Sequence, residues 1–133
     1  MCSQNDKATW SILRFNHRTF TAQLASMQRN KQVAAIPEKY IYIDDCCYKG
    51  NGKIKEIILP SGCRIIGKEA FASCQLRKPV VFPQTVKEIK ESAFSEKHSL
   101  REVTFPASLE ILGDYSYKGC TALKTVVFET SSE

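Results

Sequence analysis

The sequence predicts an α/β-type solenoid. Units of equal length stack along one axis, with a parallel sheet on the concave side and turns or short helices on the convex side. Three observations predict it. Pro37, Pro60, Pro83 and Pro106 stand 23 residues apart. Eleven residues after each proline comes an aromatic: Tyr48, Phe71, Phe94 and Tyr117. Six residues after each proline comes an aliphatic: Ile43, Ile66, Ile89 and Leu112. A unit this short cannot bury its apolar side alone, so like residues must stack over like to build one continuous core.

The elements follow in order. Residues 1–32 fit the repeat poorly, and they are expected to form a degenerate N-terminal cap. Phe20, Leu24 and Met27 have helical spacing, which places a helix near 19–30. A short independent recognition helix is the competing reading of this segment. The repeats proper occupy 33–129, and 130–133 form a tail, all within one domain. The unit at 37–53 is the least regular, with Tyr40-Ile41-Tyr42-Ile43 leading into Asp44-Asp45-Cys46-Cys47.

Ile54-x-x-Ile57-x-Leu59 then sets a strand pattern whose first, fourth and sixth residues point inward. Leu100-x-x-Val103-x-Phe105 and Leu123-x-x-Val126-x-Phe128 repeat it. Parallel strands are expected at 57–59, 80–82, 103–105 and 126–128. The second of these is irregular. Leu76-Arg77-Lys78-Pro79-Val80 carries one extra residue, and Pro79 removes a ladder N–H, so a bulge or weakened pairing is expected there. Between strands, segments such as Ile66-Gly67-Lys68-Glu69-Ala70-Phe71 are too short for long helices. Their aromatic should plug the core from the convex side. The last strand leads straight into Glu129-Thr130-Ser131-Ser132-Glu133 without a cap, which leaves an open edge.

The stretch from Leu59-Pro60-Ser61-Gly62-Cys63 through Ile66-Gly67, Ala70-Phe71 and Cys74 to Leu76 resembles the BspA-like, or treponemal-type, leucine-rich repeat. That repeat runs I-P-x-x-V-x-x-I-G-x-x-A-F-x-x-C-x-x-L, and the resemblance extends over residues 36–128. It implies a leucine-rich-repeat fold and a surface adhesion or host-interaction role. It names no ligand. Asp44 and Lys90 depart from the Gly of Gly67 and Gly113. Asn51 and Lys97 depart from the Cys of Cys74 and Cys120, and Tyr115-Ser116-Tyr117 replaces Ala-Phe.

Composition narrows the function. The chain has 133 residues, 43% hydrophobic and 25% charged, with a formal net charge of +5. No block of Lys and Arg supports nucleic-acid binding, and no apolar run reaches the ~20 residues that span a bilayer. The start lacks the basic and apolar pattern of a secretory signal. That reads as intracellular, whereas the resemblance points to the cell surface.

Nothing points to catalysis or a cofactor. His17 and His98 are separated by several repeats, and no nucleophile–base or paired-carboxylate pattern occurs. No C-x-x-C suits zinc. Cys74 and Cys120 share a column but lie two repeats apart, about 10 Å at the strand spacing, beyond the ~7 Å reach of a disulfide. All six cysteines are therefore expected to be free. Lys78-x-Val80-x-Phe82 and its counterparts at 101–105 and 124–128 match a K/R-x-V-x-F docking pattern, but in this fold the Val and Phe belong to the core.

The remaining strand positions define the expected binding face. Lys55, Lys78, Arg101 and Lys124 form a basic column. Glu56 and Glu102 lie in the next, with Pro79 and Thr125. Ile58, Val81, Thr104 and Val127 make a mostly apolar third. Basic and apolar columns side by side suit an acidic, partly apolar protein. The alternative is a structural fragment without a dedicated ligand, or one that self-associates through the open C-terminal edge.

Overall fold

The computed structural model describes residues 32–97 and 99–130. The expected cap and its helix, and both histidines, lie outside the described residues. In chain order the strands are β1 (Val33–Ala35), β2 (Tyr42–Ile43), β3 (Glu56–Ile58), β4 (Ile65–Ile66), β5 (Glu88–Ile89), β6 (Glu102–Phe105), β7 (Ile111–Leu112) and β8 (Thr125–Phe128). Every pairing is parallel and offset by one repeat, as in Ala34↔Ile57, Ile43↔Ile66 and Val103↔Val126. The molecule is thus a parallel β-solenoid with the 23-residue period read from the prolines.

Two sheet systems run along it. β1 pairs with β3, and β6 with β8, on the concave side. A second, four-stranded sheet has the order β2-β4-β5-β7. This second sheet was not foreseen, because two-residue strands leave no alternating pattern. The Ile43, Ile66, Ile89 column was visible only as core. The expected strand at 80–82 does not form, and the concave sheet is split there.

The convex side is built from turns, and no helix forms among the described residues. The reason lies in where the main chain finds its partners. The N–H groups of Tyr48, Phe71 and Phe94 donate forward to Ala70 O, Ala93 O and Ser116 O at 2.8, 2.9 and 2.9 Å. Gly50, Ser73 and Glu96 do the same to Ala72 O, Ser95 O and Lys118 O. Each turn is therefore satisfied by the next repeat rather than by its own helix. Two left-handed residues per unit make this geometry. One column is Cys46, Glu69, Ser92 and Tyr115, and the other is Gly50, Ser73, Glu96 and Gly119. Only the second uses glycine, and only at two positions, so the other six bear the steric cost of a Cβ at positive φ.

Inside, the aromatic column stacks. Ring centroids are 5.4 Å apart for Tyr48–Phe71, 5.2 Å for Phe71–Phe94 and 5.5 Å for Phe94–Tyr117. Phe82, Phe105 and Phe128 form a second pile, and Phe82 meets Phe94 edge-on at 5.6 Å. Phe71 and Phe94 are essentially unexposed, as are Ile66, Ile89, Ala70 and Ala93. Gly67 allows close approach of neighbouring turns: a Cβ there would meet Ile43 O at 2.6 Å.

The position three after the aromatic has its own logic. Cys74 Sγ donates to Tyr48 O at 2.7 Å, and Cys120 Sγ to Phe94 O at 3.3 Å. Lys97 occupies the same column, and its Nζ donates to Phe71 O and to Ser95 O. Each donor thus reaches the carbonyl of the aromatic one repeat back. The ammonium is fully buried, and this burial lowers its pKa to about 8.

The cysteines need one correction. Cys47, Cys63, Cys74 and Cys120 are free, but Cys46 is disulfide-bonded. The expectation of six free thiols rested on distances between core columns. Cys46 sits on a left-handed turn residue outside those columns, and its partner is none of these four. Burial pushes the Cys63 thiol up to about 12 and raises that of Cys74, so both stay protonated and act as packing groups.

Two predictions follow from the core. Phe71→Ala and Phe94→Ala should each destabilise the fold by roughly 3–5 kcal/mol, the usual cost of emptying a packed aromatic site. Urea melts showing a loss below about 1 kcal/mol would contradict the stacked column. Lys97 gives a pH signature. Its folded pKa of about 8 lies below the ordinary 10.5, so between these values the unfolded chain binds more protons and stability from this group rises with pH. Below about 8 the penalty is fully present. The buried thiols Cys63, Cys74 and Cys120 act in the opposite sense, so the comparison is with Lys97→Met. Across that window stability should shift in favour of wild type by at most roughly 3 kcal/mol. A pH-independent difference between the two proteins would show that the ammonium is not desolvated.

Candidate functional site

Strand alternation decides which side chains reach solvent on the concave face. In β3, Ile57 is buried between Glu56 and the exposed Ile58. In β6, Val103 and Phe105 are buried while Glu102 and Thr104 face out. Lys78, Arg101, Lys124, Val81 and Val127 are exposed, and Lys55 and Glu56 are half-buried. Registered pairs bring Thr104 beside Val127 and Glu102 beside Thr125.

Three aliphatic side chains stand open to solvent on this face: Ile58 at 47%, Val81 at 81% and Val127 at 44% exposure. Around them the charges are unequally engaged. Lys78 Nζ lies 3.5 Å from Glu56 Oε1, and Lys55 Nζ donates to Gly52 O at 2.9 Å. Arg77, Arg101 and Lys124 have no ion-pair partner among the described residues. The Lys78–Glu56 pair is solvent-exposed and contributes little to stability.

The basic column is not evenly spaced. Lys55 N–H donates to Gln32 O and Lys124 N–H to Arg101 O, each one full repeat back. At the irregular unit Arg77, not Lys78, donates to Lys55 O, at 2.8 Å. The ladder therefore enters this unit one residue early. Lys78 and Pro79 then share the space of one residue, and no main-chain hydrogen bond joins 78–82 to β3 or β6. Arg77 thus joins the basic residues of the face, which sequence reasoning missed. The signal was the extra residue between Leu76 and Val80, which had been counted as a bulge without following its effect on side-chain register.

Two cavities open along this break. One, about 310 Å³, is lined by Arg77, Pro79, Ser99, Leu100, Arg101 and Glu102. The other, about 360 Å³, is lined by residues 79–82 with Gln84, Glu102, Thr104 and Glu129. They meet at Pro79 and Glu102.

The K/R-x-V-x-F matches divide. Val80, Phe82, Val103 and Phe105 are buried, but Val126 and Phe128 of the last described unit are exposed at 48% and 62%. Expecting all three pairs in the core assumed a neighbour on both sides, and only one side of β8 is paired. Among the described residues no group of three or more His, Cys, Asp or Glu comes together in a metal-binding arrangement, and no helix is long and apolar enough to cross a membrane.

A solenoid with parallel strands, a proline-phased unit and an aromatic plug is a leucine-rich-repeat protein. The chain belongs to the BspA-type leucine-rich-repeat family, whose model matches residues 19–133 in six copies. Among solved structures it is similar to a Treponema pallidum leucine-rich-repeat protein, TpLRR. That match has 30% identity and a TM-score of 0.69, and covers 71% of this chain and 44% of that one. A Bacteroides ovatus leucine-rich-repeat protein matches at 25% identity and TM-score 0.67, covering 72% of this chain and 25% of that one. The pneumococcal vaccine antigen PcpA shares the fold at 24% identity and TM-score 0.71, covering 76% and 25%. The chain spans less than half the length of these solved chains. No curated protein matches the sequence.

Proposed function

We propose that this chain is a protein-interaction module that binds an acidic, partly apolar protein through its concave face. One observation carries the reading. Ile58, Val81 and Val127 are exposed across successive units beside Arg101 and Lys124, which have no ion-pair partners among the described residues. An apolar row open to water favours burial against a partner. Unpaired cations beside it attract an acidic partner and speed its approach at low ionic strength. The family supports an interaction role, and adhesion is the form suggested by its surface-protein members. Binding through side chains on a rigid repeat scaffold requires no cofactor and no catalytic residue.

A second reading is favoured by a different observation. β8 exposes Val126, Val127 and Phe128, and its outer edge is unpaired among the described residues. An open apolar strand edge is a template for pairing with a second copy. Sedimentation of wild type against Val127→Lys separates this from concave-face binding, since only self-association would lose a dimer.

The main test compares two double reversals on immobilised protein. Lys78→Glu with Arg101→Glu changes the concave face, and Lys68→Glu with Lys118→Glu changes exposed convex turns. Proteins captured by wild type should be lost with the first variant and retained with the second, while both melt within about 1 kcal/mol of wild type, as exposed charges allow. Equal capture by the two variants would move the site off the concave face.

A further inference from the structure

We propose that the break at Lys78–Phe82 is a docking slot for one extended segment of a partner protein, held through its main chain. This rests on the concave-face reading and makes it specific. The split in the sheet is local. β1–β3 and β6–β8 keep full register on either side, and the second sheet runs unbroken through all four of its strands. The core also continues under the break, where Phe82 stacks on Phe105 at 6.0 Å and meets Phe94 edge-on. So the backbone of 80–82 is held in place, yet its N–H and C=O groups have no protein partners. In a continuous sheet those groups would be bonded on both sides.

Main-chain donors and acceptors that alternate along a strand are matched by another extended main chain. No single side chain offers that alternation. Space for it exists in the two adjoining cavities of about 310 and about 360 Å³ beside residues 77–82. Their chemistry is polarised. Arg77 and Arg101, both exposed and without ion-pair partners, line the first. Glu129 lines the far end, where it accepts from Gln84 Nε2 at 2.7 Å. Between them Val81, the most exposed large apolar side chain of the described residues, offers a contact for one aliphatic side chain. The occupant is therefore an extended peptide segment with an acidic residue at the arginine end, aliphatic residues at alternate positions, and a basic or neutral residue at the Glu129 end.

The test uses the whole chain and defined probes. Two capped octapeptides alternate valine and threonine between a terminal glutamate and a terminal lysine, one in each chain direction. Calorimetry should find saturable binding by one of them at a Kd below about 1 mM, the range of a single weak docking contact. Hydrogen exchange at the amides of Val80, Val81 and Phe82 should slow when it binds. N-methylation of alternate peptide amides should weaken binding at least about tenfold, because it removes donors while leaving side chains. Arg77→Glu with Arg101→Glu should do the same. The proposal is overturned if neither peptide binds, or if the N-methylated form binds equally well. It is also overturned if exchange slows only at β8. Loss of binding through Lys124→Glu with Val127→Lys, but not through the Arg77 and Arg101 reversal, would reject the slot while leaving the concave face in place.

Discussion

The structure depends on one constraint: no repeat can satisfy its own backbone. On the convex side, N–H groups donate forward to the next unit. In the second sheet, Arg64, Lys87 and Glu110 donate backward to Ile41 O, Arg64 O and Lys87 O. Every unit is thus clamped from both neighbours, and 23 residues suffice because no turn has to carry a complete helix. The same bonding fixes the side-chain columns. With the backbones in register, aromatic must fall on aromatic and aliphatic on aliphatic, so the core is a set of one-dimensional piles rather than a jigsaw of unrelated contacts.

This arrangement explains what can replace what. The position after the aromatic plug accepts Cys or Lys because both reach the carbonyl of the aromatic one repeat back. Lys97 meets the hydrogen-bond requirement of a cysteine column with a far more expensive group to desolvate. Similarly, the left-handed positions carry Cys, Glu, Ser and Tyr as well as glycine. Inter-repeat bonding over-determines those dihedrals, and the strain is tolerated locally.

The repeat period, the core columns and the outward strand positions were legible in the sequence because each repeats at least four times. A single residue is ambiguous, but a column is not. What repeats but is short stayed hidden: the two-residue strands around Ile43, Ile66, Ile89 and Leu112 have no pattern of their own. What occurs once was only half read. The extra residue before Val80 signalled a disturbed ladder, but which side chain it would bring to the face depends on which amide takes the bond from Lys55 O. That is a choice among three-dimensional alternatives that no periodicity encodes. Cys46 lay beyond reach for a related reason, since column distances say nothing about a turn residue.

The split in the concave sheet also bears on how the molecule comes apart. In a linear array, stability is a sum of unit terms and nearest-neighbour couplings. Most couplings here include hydrogen bonds from both sheets and from the convex turns. The couplings on either side of Pro79 lack the concave share, while the convex and second-sheet shares persist. The array is therefore a chain with soft links near its middle. Thermal opening begins at those links as readily as at the ends, and it divides the solenoid into an N-terminal block around β1 and β3 and a C-terminal block around β6 and β8, each unravelling as its own cooperative segment.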